Sequence, residues 1–487
     1  MKNPNILVIY TDQQRYDTLG INGNPLIRTP NLDRFGRQGV NFHNAHVSCP
    51  LCVPSRVGFF TGRHTHATRS YHNVIPLGDG ERDFVALLRD RGYTTALIGK
   101  DHCFGRGRDR TTFDYLSRAG HTCFLPPRNR REREINEIHG GDAMWKPYLR
   151  HDIQPDEDVS GKLCLEACDY IGVKHDREFG QPFFLWLSLP EPHAPHMAPE
   201  PYVRLYDGVD IPPPVEREGE MDDKPARQRI AARSKYYDVV HRPEVLRMVR
   251  QVYWASCTYI DDYVGRVLKA LDEAGIADET IVVFTSDHGD HLGDHHLLRK
   301  GITLYDCLTK VPLIVRAPGV RPAETRALVS NLDVMPTVLD LAGVAPDRPH
   351  HGRSFRGLLE GRTDVHRDAL LLEYGYPGAP LREEDLTAGQ LAELTSETSF
   401  GERKELNAGR SKAVRTDRWK LVVTPGDVDE LYDLQNDPHE LTNLAGRPEH
   451  AALRARLARR ILEELIVMQD EIPPERLEEL QASKWWN

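Results

Sequence analysis

The chain has 487 residues, 39% of them apolar, with 63 basic and 73 acidic side chains giving a formal net charge of −10. That supports a large core split between two domains, and the mixing of both signs along the chain excludes a nucleic-acid binder working through a broad basic face. Eight cysteines without disulfide-framework spacing, a start that enters a strand pattern without a signal peptide, and no apolar run near the ~18–20 residues of a membrane span point to a cytoplasmic protein with no membrane partner.

Residues 5–11 are a short continuous apolar run, the pattern of a strand buried on both faces in a parallel sheet, and it ends on Asp12 and Gln13. A carboxylate there is costly to bury without a cation, so Asp12 reads as a metal ligand, an arginine partner or a plain turn cap. Thr29-Pro30-Asn31 opens a helix that Gly39 stops. The stretch Cys49-Pro50-Leu51-Cys52-Val53-Pro54-Ser55-Arg56, running on to Thr61-Gly62-Arg63, reads as a strand-to-helix junction where backbone N–H groups and the helix dipole favour an anion. A helix over 83–91 precedes a second buried strand over 94–99, with Lys100 and His102 at its end. Residues 104–158 look like an arginine-rich excursion over the active face, 159–175 like a helix, and 182–189 like a third buried strand. It leads into Glu191-Pro192-His193-Ala194-Pro195-His196, where prolines stiffen the backbone around His193.

The polar, proline-rich stretch 199–242 reads as an insertion, a lid or an oligomer contact. A helix over 243–274 with one apolar face precedes a fourth strand over 280–285, which runs into Ser286-Asp287-His288-Gly289-Asp290 and on to Lys300-Gly301. A strand over 311–316 and a helix over 333–342 complete a first domain, 1–364. In 365–487, short strands over 370–374, 411–416, 419–424 and 430–434, a polar loop over 377–409 and a helix over 449–468 make a smaller α+β domain. Trp485-Trp486 are apolar enough to dock on the body or on a second copy, so a homo-oligomer is open. The three histidines His291, His295 and His296 invite a second metal site but read as a solvated loop, and no role is assigned to them.

Buried strands that each end in a polar cluster make this an α/β protein, with a mostly parallel central sheet sandwiched by helices. Ligands of such sheets sit at the carboxyl ends, so Asp12, Lys100, His193, Asp287 and His288 meet on one edge. Cys52 has three readings there. Its thiol is a nucleophile activated by Arg56 and the helix start, although the Cys-x5-Arg loop of cysteine phosphatases is absent. Cys49 and Cys52 are alternatively a C-x-x-C redox pair. The third reading comes from resemblance.

The strand ending in Asp12, T-P-N-L-D-R, C-V-P-S-R with T-G-R, G-K-D-H, P-H-A-P, S-D-H-G-D-H-L-G-D-H with R-K-G, V-P-L-I-V-R-A-P-G and E-L-Y-D-L-Q-N-D-P-H-E-L-T-N-L-A together resemble the formylglycine-dependent sulfatases. These belong to the alkaline-phosphatase-like superfamily, and the likeness lies near its arylsulfatase and phosphonate monoester hydrolase branch. The resemblance implies that Cys52 is oxidised by a formylglycine-generating enzyme to an aldehyde whose hydrate attacks the sulfur of an aryl or alkyl sulfate monoester. It implies one divalent metal held by Asp12, Gln13, Cys52, Asp287 and His288. Calcium is the first expectation, with Mn2+ or Zn2+ as alternatives, because Gln13 replaces the commoner second Asp and His288 adds nitrogen. Arg56, Lys100 and Lys300 would hold the sulfate oxygens and the diol, His193 with Lys300 would serve the leaving oxygen, and His102 would assist hemiacetal breakdown. A phosphonate monoester hydrolase or phosphodiesterase with the same site is the enzymatic alternative. A non-catalytic binding protein with an unmodified thiol is the alternative from another class.

Overall fold

The computed structural model describes residues 3–105, 107–119, 148–174, 181–234, 239–396 and 408–469. The continuous apolar runs of the sequence become the centre of an eight-stranded sheet. In chain order its strands are β1 (Asn5–Thr11), β2 (Val40–Phe42), β3 (Thr94–Gly99), β4 (Tyr115–Arg118), β5 (Phe183–Leu189), β6 (Thr280–Ser286), β7 (Leu313–Arg316) and β8 (Ala323–Thr325). In space the order is β8-β2-β7-β6-β1-β5-β3-β4. The run from β6 through β1, β5 and β3 to β4 is parallel, and β7 is antiparallel to both its neighbours.

Register places the chemistry. Thr11 lies level with Leu189 on one side and Ser286 on the other, and Gly99 lies level with Ser188. The residues that follow, Asp12, Asp287 and Lys100, therefore leave the sheet at one edge. Gly99 is required at its position: its φ is +114°, and a Cβ would lie 2.0 Å from the Ser188 carbonyl oxygen.

Alternation along the central strands feeds two cores. On one face Ile6, Val8, Tyr10 and Trp186 pack against α2 (Cys52–Thr61) through Val57, Phe59 and Phe60, and against α5 (Val334–Leu341) through Val334 and Val338. On the other, Leu7, Ile9, Leu185 and Leu187 meet α1 (Pro30–Gln38), α3 (Val159–Asp169) and α4 (Pro243–Glu273). The helix read over 159–175 becomes α3 followed by a π-helical turn, Tyr170–Lys174, and its last residue lies outside the described ones. The edge strands β4 and β8, and β2 beside β8, carry no long apolar run, and the exposed or half-exposed residues of β4 and β8 explain why composition does not announce them.

A second sheet is antiparallel in chain order: β9 (Leu370–Tyr374), β10 (Ser411–Arg415), β11 (Trp419–Val423) and β12 (Glu430–Asp433). The helix α6 (Ala451–Gln469) covers one face through Leu457 and Ile461. The other face places Leu370, Leu372 and Tyr374 against Cys49, Leu51 and Leu304, directly behind the start of α2. Trp485 and Trp486 lie outside the described residues, among which no helix is long and apolar enough to cross a membrane.

Asp333, fully buried, joins the two sheets' supports. It accepts the backbone N–H groups of Ser330 at 2.9 Å and Arg353 at 2.7 Å, and it pairs with Arg367 and His366 just ahead of β9. Burial opposes its charge, but Arg367 and His366 outweigh burial and hold its carboxyl far below the ordinary range. A lowered folded-state pKa gives stabilisation that is full above the unfolded value of ~4 and is lost as pH falls. Asp333→Asn is expected to cost about 3 kcal/mol at neutral pH, with the gap from the native protein closing below pH ~4, as measured by urea unfolding across pH.

Candidate active site

Cys52 is the first residue of α2, with Leu51 as the extended N-cap, and its side chain has no solvent exposure. One turn on, Arg56 is equally buried and reaches across the sheet edge. Its Nε donates to Asp287 Oδ2 and an Nη to Asp12 Oδ2, each at 3.0 Å, while the other Nη donates to Ser188 Oγ at 2.8 Å and to the Lys100 carbonyl at 3.2 Å. The guanidinium lies 5.0 Å from the Tyr10 ring centroid. Arg56 thus directs its fork at the two carboxylates, which leaves the lysines as the cations facing Cys52.

Lys100, leaving β3, forms an ion pair with Asp12 Oδ2. Lys300 places Nζ 2.8 Å from Cys52 Sγ and 3.0 Å from Gln13 Oε1. Burial and Asp12 work against a thiolate at Cys52, but Lys300, Lys100 and His288 outweigh them and bring the thiol well below its ordinary value. Burial likewise opposes the Lys300 charge, yet Cys52, Asp12 and Asp287 raise its pKa, so it stays protonated. Burial and Lys300 push His193 down to about 3, so this imidazole is neutral; its Nε2 lies 3.9 Å from Asp12 Oδ1. His102, at φ +57°, hydrogen-bonds Cys52.

Asp12, Cys52, Asp287 and His288 offer ligand atoms that all lie within 4.8 Å of one another, and all four residues are buried. Two observations show that a divalent cation fits these donors. Burial together with Asp12 pushes the Asp287 carboxyl up to about 6, so two carboxylates share a site that a cation would let both occupy as anions. The His288 Nδ1–H donates to the Gly289 carbonyl at 2.8 Å, which turns the Nε2 lone pair toward Cys52 Sγ, 3.3 Å away. Gln13 borders the group: its backbone N–H donates to Asp287 Oδ1 at 2.9 Å and its side-chain amide to Asp290.

The structure therefore gathers Asp12, Gln13, Cys52, Arg56, Lys100, His102, His193, Asp287, His288 and Lys300 at one edge. Cys49 turns the other way into the apolar contact with β9, and burial pushes its thiol up. His291 and His295 are buried, which corrects the solvated-loop reading. His295 bonds Glu220 at 2.6 Å and stacks on Tyr305 with centroids 3.8 Å apart, and His291 bonds Thr303 at 3.2 Å. Three contributors escape sequence reasoning. Asp290 and Ser188 were visible as a second Asp in the S-D-H-G-D stretch and as the polar residue of an apolar run. Asn73, whose Oδ1 accepts the Val53 N–H at 3.2 Å, lies in a loop without any pattern.

The sulfatase family model matches residues 4–344, and a model of the C-terminal part of N-sulphoglucosamine sulphohydrolase matches 399–467. A choline-sulfatase of Rhizobium meliloti is 29% identical over 454 residues, covering 91% of this chain and 83% of its own. An arylsulfatase of Clostridium perfringens is 28% identical over 482 residues, covering 92% of this chain and 91% of its own. Among solved structures, the phosphonate monoester hydrolase SpPMH of Silicibacter pomeroyi superposes with a TM-score of 0.78 at 26% identity, covering 95% of both chains.

Arg56→Lys keeps the charge and loses the fork, so the two carboxylates are no longer bridged. The expected result is a fall in kcat/KM of about 10²–10³ with weaker divalent-metal retention, read by steady-state kinetics and by metal content after dialysis.

Proposed function

Because the chain belongs to the sulfatase family, and by that membership is a sulfuric ester hydrolase, we propose that it cleaves aryl or alkyl sulfate monoesters with a formylglycine made from Cys52 and one divalent cation. The observation that carries this is the placement of Cys52 at the first turn of α2, in one buried group with Asp12, Asp287 and His288 and beside the Lys300 ammonium.

Asp12, Asp287 and His288 would hold the cation, with Gln13 as the neighbouring amide and residue 52 as the remaining ligand. A bound divalent ion supplies charge neutralisation and a lowered pKa for the attacking oxygen. The oxygen donors favour Ca2+, while the imidazole of His288 admits Mn2+ or Zn2+. Arg56 aligns both carboxylates and favours their ionised forms, which the cation would complete. Lys100 and Lys300 receive the sulfate oxygens, and as the protonated member of its pair with neutral His193, Lys300 carries the proton toward the leaving oxygen. His102, bonded to residue 52, takes up the proton as the aldehyde is regenerated. A formylglycine-generating enzyme is the partner this reading needs. The free thiols among the described residues suit a reducing, cytoplasmic compartment. Residues 1–364 and 365–487 serve as a catalytic domain and a smaller one that closes its edge.

Peptide mass analysis of protein from its native host is expected to show the Cys52 peptide at the lower mass of the aldehyde; an intact thiol throughout would leave a binding protein without a nucleophile. The likeness to a phosphonate monoester hydrolase favours that activity as the second reading, and Lys100 favours the first, because an extra cation suits a three-oxygen head group. The expected kcat/KM is higher for an aryl sulfate than for an aryl phosphonate monoester. A hundredfold preference for the phosphonate, roughly 2.7 kcal/mol in transition-state binding, would reverse the assignment.

A further inference from the structure

We infer that a rim beside residue 52, formed by His72, Val74 and Ile75 with Tyr376 from the chain beyond β9, is the leaving-group subsite and takes an uncharged or anionic aryl group. This rests on the sulfatase reading above and narrows its substrate class.

The rim is fixed to the catalytic helix. Asn73 accepts the Val53 N–H at 3.2 Å, so residues 72–75 lie against the first turn of α2, one residue from Cys52. The charge of Cys52 reaches the His72 imidazole, which places the ring within electrostatic range of the reacting position. The His72 and Tyr376 rings lie 4.3 Å apart at 45°, and both are half-buried, so each keeps surface for a third ring. Next to them Val74 is 76% and Ile75 38% exposed. Exposed aliphatics beside two rings, at the mouth of an otherwise charged site, form an apolar wall of the kind a flat organic group covers.

Charge decides between organic groups. The Arg410 guanidinium lies 4.4 Å from the Tyr71 ring centroid, on the residue next to His72. That places a fixed positive charge beside the rim, and it repels a quaternary ammonium brought to the neighbouring rings. A phenol, neutral or carrying an acidic substituent, meets no such cost. A short alkyl alcohol leaves the wall uncovered.

The test uses matured enzyme with 4-nitrophenyl sulfate, ethyl sulfate and choline sulfate. The native protein is expected to have its lowest KM for the aryl ester. Tyr376→Ala and His72→Ala should raise that KM about tenfold, with a markedly smaller rise for ethyl sulfate, and Tyr376→Phe should restore it. Melting temperatures confirm that each variant folds. An equal rise for both esters, no rise for the aryl ester, or a native preference for choline sulfate overturns the subsite. Calorimetric binding of 4-nitrophenyl sulfate to Cys52→Ala protein, with and without Tyr376→Ala, separates the two proposals. If no sulfate ester is turned over, the sulfatase reading fails, while weaker binding on loss of Tyr376 still supports the aryl subsite and unchanged binding refutes it.

Discussion

Arg56 bridges Asp12 and Asp287 at 3.0 Å on each side, and the three residues come from a helix and from the ends of two neighbouring strands. None of them is exposed, so each charge is tolerable only because the others are there. The bridge also sets direction. With Oδ2 of both carboxylates bound by the guanidinium, Oδ1 of each is left toward Cys52 and His288, where the candidate metal group lies. Ser188 and the Lys100 carbonyl take the remaining Nη, so the same side chain ties β3 and β5 to the centre. Fold and site meet in this residue. The parallel register brings the strand ends level, and the guanidinium turns level ends into an oriented constellation.

Lys300 is held from another quarter. It opens a segment in which Gly301 has a φ of +96° and Ile302 one of +58°, a path that needs external support. The C-terminal sheet provides it. A Tyr374 hydrogen bond reaches the backbone of Ile302, Lys420 donates to the Leu304 carbonyl at 3.0 Å, and Glu440 accepts the Asp306 N–H at 2.6 Å. The insertion joins in, since Gln228 accepts from Tyr305 and Lys224 donates to Tyr432, each at 2.8 Å. Among the described residues the small sheet contributes none to the metal group, yet it supports the segment that places the Lys300 ammonium 2.8 Å from the Cys52 sulfur.

The gathering of the site was legible in the chain because strands buried on both faces are read as continuous apolar runs, and the polar residue after each run must lie at the sheet edge. Asp12, Lys100 and Asp287 follow from that rule alone. The fine division of labour was not legible. That Arg56 faces carboxylates instead of open space depends on Ser188 and Tyr10, which only packing brings near. His291 and His295 looked solvated because their partners, Thr303 and Glu220, are supplied by a neighbouring loop and by an insertion more than seventy residues upstream, and no local pattern encodes such pairings. His72 and Tyr376 are three hundred positions apart in loops without periodicity, so their contact is a property of the folded chain only.

Cys52 lies at zero exposure beneath Asp12, His288 and Lys300, at the start of a helix that is buried throughout its length. With Cys52 and the rest of α2 buried, the folded protein offers the sulfur no accessible surface to another macromolecule. Under the proposed reading, an enzyme that oxidises that sulfur would have to reach it before α2 is packed and Arg56 has found its two acids. A molecule that closed first would keep its thiol, and the share of competent catalyst would then follow the order of tailoring and closure more than the stability of the finished fold.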